Sequence, residues 1–306
     1  MKQYHLRTIS INQRKNLVNI KDFARLPPPS RSFNTFIDSL PDILVGRDFK
    51  NLVDAIVKSV RNKRLVGVGL GAHVVKCGLS PVIIDLMKRG VIKAIAMHGA
   101  TAIHDYEISL IGRTSEDVAA NIKTGNFGMS IETAEAFARA SRNAVNANIG
   151  LGQSLGKLII KERNKFASAS ILANAYKLGI PATVHIAIGT DTIHMHPNIS
   201  GADLGESSLT DFRIFANTIC GLNNGVWLNI GSAVIMPEVF LKAVSIARNQ
   251  GHKLNSFTAA NLDMIQHYRP RQNVTGRPAP IGINITGHHE IMLPLLRMAV
   301  LSRLDK

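Results

Sequence analysis

Apolar positions along this chain recur with two periods, and the alternation between them sets the expected architecture. In 48–62, Phe49, Leu52, Val53, Ile56, Val57 and Val60 fall on one face of a helix. The run 65–70 is short and apolar throughout, as a strand buried on both faces would be. Ser80 is placed to cap a helix, and Pro81 sits at its first position, where the missing N–H costs nothing. Ile83, Ile84, Leu86 and Met87 give that helix a buried side, and Gly90 ends it. A second apolar run, 91–97, predicts the next strand.

Farther along, helices are expected at 105–111, 114–123, 131–148, 154–161, 168–178, 207–222, 238–249 and 290–304. Strands are expected at 180–188, 226–230, 257–262 and 281–285. Strands that alternate with helices predict an α/β fold with a mainly parallel sheet and helices on both faces. Ligands of such sheets bind beyond the carboxyl ends of the strands. The loops at 69–78, 98–105, 189–206, 229–233 and 286–289 are therefore expected to share one crevice. Residues 1–47 are polar, basic and interrupted by Pro27-Pro28-Pro29, which predicts an extended N-terminal arm ahead of a body spanning 48–306.

Composition narrows the function. Of 306 residues, 45% are hydrophobic and 19% charged, as in a folded globular chain. Aromatic residues make up 5%, which argues against base-stacking platforms. The formal net charge of +15 points to an anionic partner such as a phosphate-bearing cofactor, nucleic acid or a membrane surface, or simply to solubility; no nucleic-acid motif accompanies it. Much of the charge lies in Lys2, Arg7, Arg14, Lys15, Lys21, Arg25 and Arg31. Two cysteines, Cys77 and Cys220, make neither a disulfide framework nor a zinc site. No apolar leader opens the chain, and the uncharged stretch 214–237 is broken by Asn223-Asn224-Gly225, so a cytoplasmic protein with no membrane association is expected.

Several motifs could carry chemistry. Gly67-x-Gly69-x-Gly71 follows the first strand, where glycines allow backbone amides to approach a phosphate, or strands to pack closely. The 150–157 stretch mimics a phosphate loop but has the wrong spacing and Leu158 where a hydroxyl is needed. His194 and His196, with His185, His288 and His289, could hold zinc in a metal-dependent hydrolase, or line a crevice. His194, His196 and His288 are the general acid/base candidates, because imidazole titrates near neutrality. Asp191, Asp203 and Glu206 could bind a cationic substrate or a ribose hydroxyl, or cap helices. Cys77 in the glycine loop is either an activated thiolate or a packed thiol.

Gly71-Ala-His-Val-Val-Lys-Cys-Gly78, Gly99-Ala-Thr-Ala-Ile-His-Asp105, the Thr190-Asp191 pair and Gly287-His-His-Glu-Ile-Met-Leu-Pro-Leu-Leu296 together resemble the deoxyhypusine synthase family over roughly residues 40–304. The resemblance implies a Rossmann-like sheet that binds NAD, a homo-oligomer (dimer or tetramer) with sites at its interfaces, and transfer of an aminobutyl group from spermidine by dehydrogenation. It implies that Gly71, Ala72 and Cys77 line the cofactor phosphates, that Gly99, Ala100, Thr101 and Asp105 line its second side, and that Asp191 lies beside the nicotinamide ribose. Asn229 falls near a substrate-side position of the family, and Glu206 and His289 complete the expected substrate contacts. One departure bears on the reaction: the family's nucleophilic lysine has no counterpart in 261–278, where Arg269, Arg271 and Arg277 stand instead. Arginine stays protonated and cannot form a Schiff base. The expected function is thus an NAD-dependent, aminoalkyl-transferase-like enzyme with a diverged reaction on a small amine or related substrate. A non-catalytic nucleotide-binding oligomer is a further alternative.

Overall fold

The computed structural model describes residue 13, residues 20–29 and residues 31–305. The basic residues Lys2, Arg7, Arg14 and Lys15 of the expected arm lie outside the described residues. In chain order the main elements are α1 (Phe33–Ser39), α2 (Leu44–Arg61), β1 (Val66–Leu70), α3 (Ala72–Lys76), α4 (Ser80–Lys88), β2 (Ala94–His98) and α5 (Gly99–Ile111). There follow α6 (Val118–Asn121), α7 (Ile131–Ala147), α8 (Leu151–Lys161), α9 (Ile171–Leu178), β3 (Ala182–His185) and α10 (Gly201–Ile219). The chain ends with β4 (Val226–Ile230), α11 (Ile235–Asn249), β5 (Thr258–Asp263), α12 (Tyr268–Pro270), a π-helical turn (Arg271–Gly276), β6 (Ile281–Thr286) and α13 (His289–Leu304).

All six strands pair in parallel, in the order β3-β2-β1-β4-β5-β6. The expected Rossmann-like α/β fold is therefore the observed one. Chain direction across the sheet reverses between β1 and β4, which is where such sheets open a crevice. β1 through β5 are buried almost throughout, because helices cover both faces. One face packs Phe215 of α10 and Phe240 of α11 on Trp227 of β4; the Trp227 and Phe240 rings stack 5.0 Å apart, 3° from parallel. The other face buries Val66, Val68 and Leu70 against a larger apolar cluster that includes α2, α4 and α13.

Trp227 also accounts for the glycines of β1. A Cβ on Gly67 would lie 3.0 Å from the indole, and one on Gly69 2.7 Å from it. These two glycines make room for a core ring and are withdrawn from any phosphate loop. Gly71 has a different reason. Its N–H donates to the Ile230 carbonyl (2.8 Å), and a Cβ there would sit 1.9 Å from the Gly231 oxygen. The loops after β1 and β4 touch backbone to backbone at the switch point.

Several boundaries differ from expectation for local reasons. α1 and the start of α2 fall inside the stretch read as an arm; Ile37 is fully buried, and the Asn34 side chain donates to the Ser302 carbonyl of α13 (2.7 Å). α5 begins at Gly99 rather than 105, so the Gly99–Asp105 motif is two helical turns, not a loop. α10 begins at Gly201, where Ser200 caps it through the Asp203 N–H. Among the described residues, no helix is long and apolar enough to cross a membrane.

Candidate active site

A cavity of about 480 Å³ opens beyond the carboxyl ends of β2 and β3. Its floor is one face of α5, formed by Ala100, Ile103, His104, Glu107 and Ile111. The walls are Lys76 at the end of α3, residues 113–116 before α6, and Thr190, Asp191 and Thr192 after β3.

Asp191 is the cavity's most unusual group. It is 7% exposed, and its carboxylate lies over the first turn of α5, so close to Gly99 that a Cβ there would sit 2.1 Å from Oδ2. Burial pushes its pKa up to about 6 against the opposing pull of the Ala100 N–H. Oδ2 is buried with no hydrogen-bond partner. A buried acceptor without a donor is costly, and such atoms mark places where a ligand or water completes the bonding.

Farther along the α5 floor is a network that the sequence motifs did not single out. His104 Nδ1 lies 2.6 Å from Thr114 Oγ1 and 3.6 Å from Glu107 Oε2. The Thr114 hydroxyl donates to Glu107 Oε2, and Thr133 Oγ1 lies 3.3 Å from Oε1. Burial pushes the Glu107 carboxyl up, but His104, Thr114 and Thr133 outweigh it and leave its pKa lowered. Because α5 starts at Gly99, residues 100, 103, 104, 107 and 111 form one helix stripe.

The remaining residues nominated from sequence divide sharply. Gly71 faces Gly231, as described. Ala72 is half-buried in the first turn of α3, a helix of five residues. Cys77 is half-buried; burial first, then Glu290, push its thiol pKa up, so an activated thiolate is not what this position provides. Thr101 is fully buried and donates to the Leu70 carbonyl (3.1 Å), tying α5 to β1. Asp105 corrects the reading most clearly: it is fully buried and accepts from Ser170 Oγ (2.6 Å) and the N–H groups of Ile171 and Leu172, capping α9.

The histidines are not a cluster. His185 is in the core, edge-on to Phe215 at 5.5 Å, and burial lowers its pKa to about 3. His194 accepts the Gly189 N–H at Nδ1 (3.1 Å), leaving a buried Nε2 without a partner, and His196 Nε2 lies 3.2 Å from the Gly128 carbonyl. Both follow β3 at one edge of the sheet. His288 follows β6 at the other edge, five strand spacings or about 24 Å away. It is exposed and lies 3.8 Å from Glu290. Among the described residues no three His, Cys, Asp or Glu side chains are grouped as metal ligands. Glu206 is an exposed group on α10 paired with Arg213 at 3.5 Å. Asp203 is in the first turn of the same helix. Arg269 pairs with Glu238 (3.4 Å), and Arg277 donates to Asn273 Oδ1 (3.0 Å), so these two arginines have partners of their own.

Asn229 and His289 are buried at the switch point. Asn229 donates to Asn261 Oδ1 (2.7 Å) and the Ser232 carbonyl (2.9 Å), leaving its own Oδ1 unpaired. His289 opens α13 beside Gly231.

No protein-family model matches the chain, and no curated protein matches it in sequence. Solved structures do match. AgrE, crystallised as a ternary complex with ornithine and NAD+, is similar at a TM-score of 0.58 and 15% identity over 85% of this chain and 34% of its own. A candidate LOR/SDH protein of Methanococcus maripaludis S2 gives 0.54 and 17%, covering 92% of this chain and 74% of its own. A candidate deoxyhypusine synthase of Entamoeba histolytica gives 0.52 and 10%, covering 89% and 94%. The chain spans about a third of the length of AgrE and of the cyanobacterial arginine dihydrolase ArgZ. At these identities the likeness establishes the doubly wound parallel-sheet fold and nothing narrower.

Proposed function

We propose that this chain is an NAD-dependent enzyme acting on a small amine. The adenosine side of the cofactor occupies the 480 Å³ cavity, and the reacting end lies toward the β1–β4 switch point. The observation that carries the reading is Asp191: a buried, unpartnered carboxylate oxygen at the carboxyl edge of a parallel sheet suits a ribose hydroxyl, which would supply the missing donor. Lys76 and Arg113 on the same walls suit a phosphate. Among the structures of similar fold, AgrE was crystallised with ornithine and NAD+, which supports this class of ligand.

Bound NAD+ would supply a hydride acceptor; the chain's residues bind it, position it and handle protons. Handover of an aminoalkyl group through a lysine of 261–278 is not part of the proposal, since that stretch holds none. Titration calorimetry with NAD+ tests the reading. The wild-type chain should bind, and Asp191→Asn should bind about tenfold more weakly, the worth of one hydrogen bond to a charged group. No heat and no thermal shift with NAD+ would remove the proposal.

A further inference from the structure

β3 is an edge strand, and one side of its backbone has no neighbouring strand to bond. The Ile95 N–H of β2 donates to the Pro181 carbonyl (2.9 Å), so alternation turns the backbone groups of Ala182 and Val184 outward. α10 meets them with side chains. The Val184 N–H donates to Asp211 Oδ2 (2.8 Å), the Ser208 hydroxyl donates to the Val184 carbonyl (3.2 Å), and the Ile186 N–H donates to Ser208 Oγ (2.9 Å). The Ala182 carbonyl lies over α8, so close that a Cβ on Gly152 would come 2.2 Å from its oxygen.

Beside these groups is a hollow of about 240 Å³. Gly152, Ala182 and Asp211 line its buried end, Leu172 and Ile214 its apolar walls, and the exposed Gln153 and Tyr176 its mouth. Asp211 is the one charged side chain among the lining residues. It is fully buried, and its Oδ1 has no hydrogen-bond partner. Gly150 makes room for that oxygen, since a Cβ there would sit 1.8 Å from it. Burial pushes the carboxyl pKa up to about 7 against the pull of the Val184, Gly152 and Leu151 N–H groups, so at pH 8 it is mainly ionised. A buried charged oxygen short of donors is costly.

The occupant that suits this place brings N–H donors and positive charge at one end and carbon at the other. A carboxylate would be repelled, an alcohol brings one donor and no charge, and water leaves the apolar walls unused. At about 30 Å³ per water-sized group, the hollow has room for roughly eight such groups. We propose that the hollow is a binding site for a small primary aliphatic ammonium, its nitrogen donating to Asp211 Oδ1 and the Ala182 carbonyl and its branched chain lying against Leu172 and Ile214. The site is at the amino end of β3, whereas the 480 Å³ cavity opens past the carboxyl end, so it stands apart from the cofactor reading.

Isoamylamine is the probe, with isoamyl alcohol and isovalerate as controls of the same shape, added to the full chain at pH 8 without NAD+. Amide NMR should show the Gly152 and Val184 signals moving with the amine, because both N–H groups donate to Asp211. The dissociation constant should be about 1 mM or tighter, as a well-used ligand of this size allows. Alcohol and carboxylate should bind at least about tenfold more weakly. Asp211→Asn keeps an oxygen for the two amides and removes the charge, and it should weaken the amine by about tenfold or more with the rest of the amide spectrum unchanged. Gly152 and Val184 signals that stay still, or shifts centred on Asp191 and Gly99, would overturn the site. A loss of less than about tenfold in D211N would overturn the role of the carboxylate, and an alcohol that binds as well as the amine would overturn the ammonium class.

Discussion

Asp211 offers a quantitative test of how this fold uses buried carboxylates. It lies on α10, is fully buried, and one oxygen, Oδ2, accepts both the Gly152 N–H of α8 and the Val184 N–H of β3 at 2.8 Å each. The other oxygen has no hydrogen-bond partner. Burial pushes the pKa up to about 7 in spite of the Val184, Gly152 and Leu151 N–H groups, against 3.8 for the free side chain. The folded state therefore binds this proton more tightly than the unfolded chain. The stability from Asp211 is complete below about pH 4, declines as pH rises toward 7, and levels off above it. The slope is about 1.4 kcal/mol per pH unit, and the full span is about 4 kcal/mol. Asn at this position can offer its single oxygen to both amides and does not titrate. Denaturant unfolding of wild type and Asp211→Asn should give similar stabilities near pH 4.5, with the mutant ahead by about 3 kcal/mol or more at pH 8. A difference that stays flat across that range would refute the reasoning.

Other consequences of the structure can be checked by the same unfolding assay. Gly71→Ala puts a methyl 1.9 Å from the Gly231 oxygen, and since both partners are backbone it should cost about 3 kcal/mol or more and loosen the β1–β4 contact. Trp227→Ala empties the space between Phe215 and Phe240 and should cost about 3–5 kcal/mol, with the two glycines of β1 left facing a cavity. Asp105→Ala strips acceptors from Ile171, Leu172 and Ser170 and should cost about 3 kcal/mol or more; the cofactor role implied by the family resemblance would instead have it lower NAD+ affinity while leaving stability intact.

The sheet was legible because its signal is local and redundant. Runs such as 65–70 and 226–230 are apolar on both faces, and helix patterns separate them, so a parallel order followed without knowledge of any contact. Helix starts were harder. α10 begins several residues before its apolar stripe because Ser200 caps it, and α5 begins beneath Asp191, which is remote in sequence from that helix. The missed starts hid the His104–Glu107 pair, whose spacing carries meaning only on a helix. The glycines misled for a related reason. Gly67 and Gly69 have the spacing of a phosphate loop, yet the ring that demands them, Trp227, is 160 and 158 residues away in the chain.

The carboxylates bring these threads together. Asp105 and Asp211 each accept from the opening amides of a helix, α9 and α8, and Asp191 lies over the opening of α5. A helix start attracts negative charge, so each could have been read from sequence as a ligand contact or as a cap. What separates them is the count of donors. Asp105 accepts at both oxygens from nearby groups and has nothing left to offer. Asp211 has a spare oxygen but lies between α8 and β3, with only a smaller hollow of about 240 Å³ beside it. Asp191 alone of the three combines an unpaired oxygen with a wall of the 480 Å³ cavity. The proposed placement of the cofactor therefore rests on unused bonding capacity at the carboxyl edge of the sheet, a quantity that no motif in the sequence records.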